Sequence, residues 1–215
     1  MKVFSVVGIT QSGKTTTIEN IIKELRRRKY SVGSVKEIHF EDFAIDTEGT
    51  NTYRHKEAGS QLVTARGNYE TDILFQEKLP VNKLLEFYDQ DFVILEGITD
   101  IKVPKIISAH NEKEVLERLD DSVFAISGRI SNTIDELNGI PVINSIDDVE
   151  RLVDLIEEKV YDKLPDLPKV KLQIDGKNIE MVPFVEKILS NTVLGIVKEL
   201  EGYQEGKEIN IKIKI

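Results

Sequence analysis

A chain of 215 residues with 40% apolar residues, 31% charged residues and a net charge of −9 has the balance of a globular protein, not a disordered one. Its acidity disfavours nucleic acid or an anionic membrane as the main partner, and its zero cysteines exclude a disulfide framework, a thiolate metal site and a cysteine nucleophile. No apolar run approaches the ~18–20 residues of a membrane span, and Met1-Lys2 leads into a strand-like run without a signal-peptide pattern, so a cytoplasmic protein is expected.

The run Lys2–Val7 is β-branched and ends at Gly8. From Lys14 to Lys29 the residues Ile18, Ile21, Ile22 and Leu25 recur at helical spacing. Arg26-Arg27-Arg28-Lys29 closes that helix and reads as cations complementing its C-terminus. Ser31–Lys36 is strand-like, and the stretch from Glu37 to Asn51 is longer than a plain connection needs, as a binding loop is. Thr52–Gly59 predicts a short helix stopped by glycine, Gln61–Thr64 and Thr71–Phe75 a hairpin, and Pro80–Tyr88 another helix. Asp91–Leu95 is a buried strand entering Glu96-Gly97. Val103–Ile107, Ser122–Ile126 and Pro141–Ile143 supply further strands, and Glu112–Leu119 and Asp147–Val160 further helices. This alternation predicts an α/β fold: a mostly parallel sheet with helices on both faces, plus the hairpin.

The character changes after Val160. Tyr161–Lys169 carries two prolines and reads as a connection. Val170–Ile174 and Asn178–Met181 bracket Asp175-Gly176-Lys177, a hairpin turn signal. Pro183 opens a striped helix, and Ile209, Ile211, Ile213 and Ile215 alternate with polar residues as a half-buried strand. The predicted organisation is a principal domain over 1–162, a linker over 163–168 and a small ββαβ unit over 169–215.

Gly8-Ile9-Thr10-Gln11-Ser12-Gly13-Lys14-Thr15 matches G-x-x-x-x-G-K-[ST] between a strand and an amphipathic helix, the setting of a P-loop. The two glycines permit the turns that aim successive N–H groups at an anion, and the helix start adds its positive dipole end. Gly8, Thr10, Gln11, Ser12, Gly13, Lys14, Thr15 and Thr16 are thus the candidate phosphate-binding set, with Lys14 reaching the outer phosphates and the Thr15 hydroxyl meeting magnesium.

Two carboxylates are candidates for the acidic side of such a site. Glu96 ends a buried strand at the sheet edge where ligands bind. Asp46 lies in the D-x-x-G sequence Asp46-Thr47-Glu48-Gly49. Lys36, His39, Arg54 and His55, in and around the same stretch, suggest a second anionic group. A transition-metal site built on His39 and His55 is disfavoured, because the chain has only three histidines and no cysteine.

Taken together, GITQSGKTT at Gly8–Thr16, VKEIH at Val35–His39, DTEGTNTYRHKEAGS at Asp46–Ser60, DFVILEG at Asp91–Gly97 and VPKII at Val103–Ile107 resemble the MobB family, P-loop proteins of molybdopterin guanine dinucleotide synthesis. The resemblance implies a P-loop NTPase fold, GTP with magnesium, slow hydrolysis, a homodimer, and a helper role beside a guanylyltransferase of the MobA type. It also makes molybdopterin a candidate ligand. By position it carries phosphate binding to Gly8, Gly13, Lys14, Thr15 and Thr16, and the acidic roles, metal-binding and catalytic, to Asp46 and Glu96, with Lys14 the catalytic cation. Two features depart from the family. Its histidine-rich K-H-x-H-H stretch is here Lys36-Glu37-Ile38-His39-Phe40, and residues beyond Lys169 exceed the shorter members, resembling extended archaeal forms. No [NT]-K-x-D run marks a guanine site. A P-loop small-molecule kinase and a binding scaffold with structural nucleotide are the alternative readings.

Overall fold

Five parallel strands form the central sheet of the computed structural model, which describes residues 1–40, 43–161, 172–174, 176–179, 181 and 183–201. In chain order, β1 (Lys2–Val7) runs through the Gly8–Gly13 loop into α1 (Lys14–Arg27), followed by β2 (Val32–Lys36) and α2 (Asn51–Glu57). A hairpin of β3 (Leu62–Arg66) and β4 (Thr71–Phe75) precedes α3 (Val81–Leu85), β5 (Phe92–Glu96), β6 (Lys105–Ser108), α4 (Glu112–Leu116) and β7 (Val123–Ser127). A 3₁₀ turn over Arg129–Asn132, a small ribbon of β8 (Glu136–Leu137) and β9 (Ile140–Pro141), and α5 (Val149–Lys159) complete this part of the chain.

The sheet order β2-β5-β1-β6-β7 is all parallel. Period-two alternation sorts its side chains between two layers. Phe4 and Val6 of β1, Phe92 and Ile94 of β5 and Ile106 of β6 pack with Ile18, Ile21 and Leu25 of α1 and with Leu152, Val153 and Ile156 of α5. Val3, Val93 and Leu95 point the other way and meet Val81 of α3. Each such side chain, taken wholly out of water, stabilises the fold by roughly 1.5–3 kcal/mol. On β1, Ser5 spends its hydroxyl on the Leu95 and Ile98 carbonyls at 3.0 and 2.8 Å, so its burial leaves no polar group unmet.

The basic end of α1 does more than complement a dipole. Arg26 donates to the Tyr30 carbonyl at 2.8 Å, tying the helix end to the turn that follows it. Glu24, a buried carboxylate, takes Arg27 at 2.6 Å and Arg28 at 2.7 Å. Arg28 continues to Asp154 and Glu157 of α5, both at 2.7 Å, and Arg27 to Glu150 at 2.8 Å. These ion pairs pin α1 to α5 beside their shared apolar face.

Three expectations are corrected. The strand predicted over Val103–Ile107 begins at Lys105, and Pro104 contributes only its carbonyl to Ser5 of β1. Pro141–Ile143 is not a strand of the sheet: Ile140–Pro141 pairs with Glu136–Leu137, while Val142 makes one isolated bridge to Ile126. The predicted helices to Tyr88 and Leu119 end at Leu85 and Leu116.

The chain divides into two compact units, Met1–Asp162 and Lys163–Ile215. In the second, β10 (Leu172–Ile174) pairs antiparallel with β11 (Lys177–Ile179) around Gly176 at φ +78°, and α6 (Pro183–Lys198) follows. The predicted linker over 163–168 and the strand over Ile209–Ile215 lie outside the described residues.

Candidate functional site

The Gly8–Gly13 loop leaves the carboxyl end of β1, the strand from which the sheet order departs in both directions. In open α/β sheets, that switch point is where ligands bind. Gly8 stands at φ +152°, and a Cβ there would lie 2.0 Å from the Ser108 carbonyl oxygen. Gly13 stands at φ +108° and opens α1 without a side-chain cap, leaving the first-turn N–H groups facing the loop. The loop is braced by the ends of neighbouring strands. Ser108 donates to the Ser12 carbonyl at 3.0 Å, and the Arg129 N–H donates to the same oxygen at 3.2 Å. Gly128 leaves room for this contact: at φ +85°, its Cβ would meet the Ser12 carbonyl at 2.4 Å.

Lys14 folds back over the loop and donates to the Ile9 carbonyl. Burial lowers the pKa of its ammonium; Glu96 opposes this, and the Lys36 and Arg118 cations reinforce it. A cation made less comfortable by its surroundings gains more from an arriving anion. The Thr15 hydroxyl donates to Glu96 Oε1 at 3.1 Å, and Lys36 Nζ reaches the same oxygen at 2.7 Å. Thr15, Glu96 and Lys36 therefore form one contact group beside the cradle. A hydroxyl and a carboxylate are hard oxygen donors of the kind magnesium accepts.

The other sequence candidates are placed differently. Asp46 is occupied locally: its Oδ1 accepts from the Thr47 N–H at 2.9 Å and from the Thr50 and Thr52 hydroxyls at 2.8 and 2.9 Å. Those bonds hold its carboxyl below the usual carboxylate range, while its Oδ2 is buried with no hydrogen-bond partner among the described residues. His39, Arg54 and His55 are exposed, and among the described side-chain bonds none brings them to the P-loop. Of the cations proposed for a second anion, only Lys36 is brought to the cradle. Among the described residues no cluster of three or more His, Cys, Asp or Glu could hold a metal by itself.

The sequence reading missed two groups of residues. His110, just beyond β6, lies 3.0 Å by its Nε2 from the Gln11 carbonyl and 3.1 Å by its Nδ1 from Glu114. A carbonyl only accepts, so Nε2 is the donor in that contact and braces Gln11, a non-glycine residue at φ 62°. The cradle opens into a cleft, and together they enclose about 400 Å³, walled beyond Thr16 and Thr17 by Arg129, Asn132, Asn144, Ser145 and Ile146. These come from two loops twelve residues apart that no contiguous motif joins; their only local signal is that both follow buried apolar runs.

Residues 3–128 match the sequence profile described as MobB, molybdopterin guanine dinucleotide synthesis protein B. The chain belongs to the MobB family. A molybdopterin-guanine dinucleotide biosynthesis adapter protein of Haemophilus influenzae is 32% identical over 148 residues, covering 64% of this chain and 83% of its own length. A Methanocaldococcus jannaschii protein carrying a provisional form of that name is 27% identical over 236 residues, covering 100% of this chain and 98% of its own, so its likeness to this MobB family member includes the second unit. The crystal structure of Bacillus subtilis MobB superimposes with a TM-score of 0.62 at 27% identity, covering 76% of this chain and 100% of that one. A Bacillus stearothermophilus MobB homologue shares the fold, with a TM-score of 0.55 at 22% identity. The P-loop NTPase α/β architecture is therefore common to this chain and the solved MobB structures. No described helix is long and apolar enough to cross a membrane.

Proposed function

We propose that this member of the MobB family is a GTP-binding adapter with slow GTPase activity, serving molybdopterin guanine dinucleotide synthesis as a homodimer beside a guanylyltransferase of the MobA type. The observation that carries the reading is the braced strand–loop–helix cradle with Lys14 inside it and the Thr15–Glu96 contact at its rim. A triphosphate entering the cradle takes the first-turn N–H groups of α1 and draws Lys14 from the Ile9 carbonyl to the outer phosphates. Thr15 and Glu96 would hold magnesium, which when bound neutralises charge on the β- and γ-phosphate oxygens. Asp46 is the second acidic partner, offering the oxygen that its loop leaves without a partner.

Slow turnover follows from the positions of the cations. Arg129 touches the loop through its backbone N–H, and Arg54 is exposed on α2, with no described bond to the P-loop. Lys36, His39, Arg54 and His55 form the region we assign to a second anionic group, with molybdopterin as the candidate. The magnesium-dependent titration of the full chain with GTP tests the reading, with Lys14→Ala as control and released phosphate as a second readout. GTP binding that drops at least tenfold in the variant, with phosphate release well below one per second, is the expected result. Unchanged affinity in Lys14→Ala refutes the placement, and a phosphorylated small-molecule acceptor in place of free phosphate refutes the adapter in favour of a kinase.

A further inference from the structure

The sheet itself sets a lysine on the carboxylate at the rim of the cradle. Lys36 and Glu96 are the last residues of β2 and β5, and the parallel register pairs them, so their side chains leave the sheet on the same face. Lys36 Nζ lies 2.7 Å from Glu96 Oε1, the oxygen to which the Thr15 hydroxyl donates at 3.1 Å. The two ends of the ion pair differ in freedom: the Glu96 side chain is 13% exposed and that of Lys36 56%. Among the described residues Lys36 has no other bonded partner, and no described hydrogen bond reaches Glu96 Oε2.

The charge of this group decides what a metal ion would meet there. Glu96 brings one negative charge, and the Lys36 ammonium neutralises it. A divalent cation at Thr15 and Glu96 draws on that same charge whichever carboxylate oxygen it takes, so ammonium and metal compete for one counter-ion. Thr15 serves both states, because a hydroxyl that gives its hydrogen to Glu96 keeps its lone pairs for a metal. Lys36 cannot, since an ammonium has three donors and no acceptor. The half-exposed lysine is the group that yields.

We propose that Lys36 is a placeholder for magnesium: without a divalent ion it neutralises Glu96 and keeps the carboxylate against Thr15, and it gives that carboxylate up when metal arrives with nucleotide. The proposal rests on the triphosphate reading given above and deepens its metal side, making Lys36 a positioning residue that sets how much magnesium contributes to binding. The lysine opposes the metal directly. It also supports nucleotide binding in the absence of metal, when an unneutralised Glu96 would repel the phosphates.

The test is a calorimetric titration of the full chain with GTP in excess magnesium and in excess EDTA, for wild type, Lys36→Met, Lys36→Gln and Lys36→Arg. The quantity read is the ratio of the two dissociation constants, the factor by which magnesium tightens binding. In the neutral variants Lys36→Met and Lys36→Gln, metal-free binding weakens more than metal-supported binding. The magnesium factor then rises about three- to fivefold, the range of an ion pair with one half-exposed member. Lys36→Arg keeps the charge and leaves the factor within about twofold of wild type. A lysine with only a structural role lowers both affinities alike, so an unchanged or reduced factor in the neutral variants overturns the inference. A factor in Lys36→Arg as high as theirs does the same, because charge is then not the cause. Wild-type binding that is equal in magnesium and in EDTA overturns the inference and leaves the cradle standing. Absence of GTP binding by the wild type under both conditions overturns the triphosphate reading, and this inference with it.

Discussion

Replacing Glu24 by glutamine keeps the shape of a buried side chain and removes the charge that Arg27 and Arg28 share. Their hydrogen bonds, Arg27's foremost, hold the Glu24 carboxyl down at about 2 from an ordinary 4.5, with burial pulling the other way. A depression of roughly 2.5 units corresponds to a ceiling of about 3.4 kcal/mol. Arg27 is mostly exposed and water screens its share, so about 2 kcal/mol is expected at neutral pH. Because the folded value is the lower one, this stabilisation is complete above the unfolded value of 4.5 and disappears as the pH falls toward 2. At pH 3 roughly three-fifths of it has gone. Asp120, held at about 2 chiefly by Lys105, titrates in the same window, so the difference between wild type and variant is the quantity to follow. Urea unfolding watched by circular dichroism at pH 7 and pH 3 measures it. A gap of about 2 kcal/mol at pH 7 that narrows to about 1 kcal/mol or less at pH 3 is expected. An equal gap at both values refutes the electrostatic account, and a gap below ~0.5 kcal/mol at pH 7 shows that the buried pair merely offsets its own desolvation.

Three other expectations concern the cradle. Gly128→Ala sets a Cβ 2.4 Å from the Ser12 carbonyl at φ +85°, so the variant melts lower by about 2 kcal/mol or more and loses pyrophosphate binding; an unchanged melting curve contradicts the packing described. Glu96→Gln weakens GTP binding with magnesium at least tenfold but leaves metal-free binding within about twofold, and equal losses under both conditions would remove Glu96 from the metal side. His110→Leu deletes the donor to the Gln11 carbonyl, and calorimetry with pyrophosphate is expected to show a dissociation constant raised about fivefold, matching one hydrogen bond of about 1 kcal/mol.

The fold was readable wherever its cause was local. The P-loop, the amphipathic face of α1 and the buried strand Phe92–Glu96 are each written in fewer than fifteen consecutive residues, and the structure places them where the pattern predicts. What the sequence hid depends on contacts between distant segments. Asn132 and Asn144 face one cleft only because the chain after β7 turns back through the Glu136–Pro141 ribbon, and two isolated asparagines carry no periodicity. Ile143 reads as a strand residue because it is buried and apolar, yet a single backbone bond to Ile126 at 2.8 Å satisfies it without a ladder. The arginine run at the end of α1 looked like a local electrostatic feature; its partners on α5 lie more than 120 positions away.

Asp46 shows a local use of its motif that the spacing does not announce. The D-x-x-G spacing was correct as a pattern, but in the fold its first effect is to gather Thr47, Thr50 and Thr52 at the start of α2.

The bracing of the Gly8–Gly13 loop by Ser108, Gly128 and His110 bears on how a signal could leave this site. A loop held in shape by its neighbours has little reorganisation left to transmit to the rest of the fold. The rim differs: one Glu96 oxygen is shared between Thr15 and Lys36, and a divalent ion held there, as proposed, would compete with the lysine for it. Lys36 is the last residue of β2, directly before the long stretch leading to α2. On the reading proposed above, the signal that nucleotide is bound would exit through one ion pair, along the segment that follows it, and not through the braced loop that would grip the phosphates.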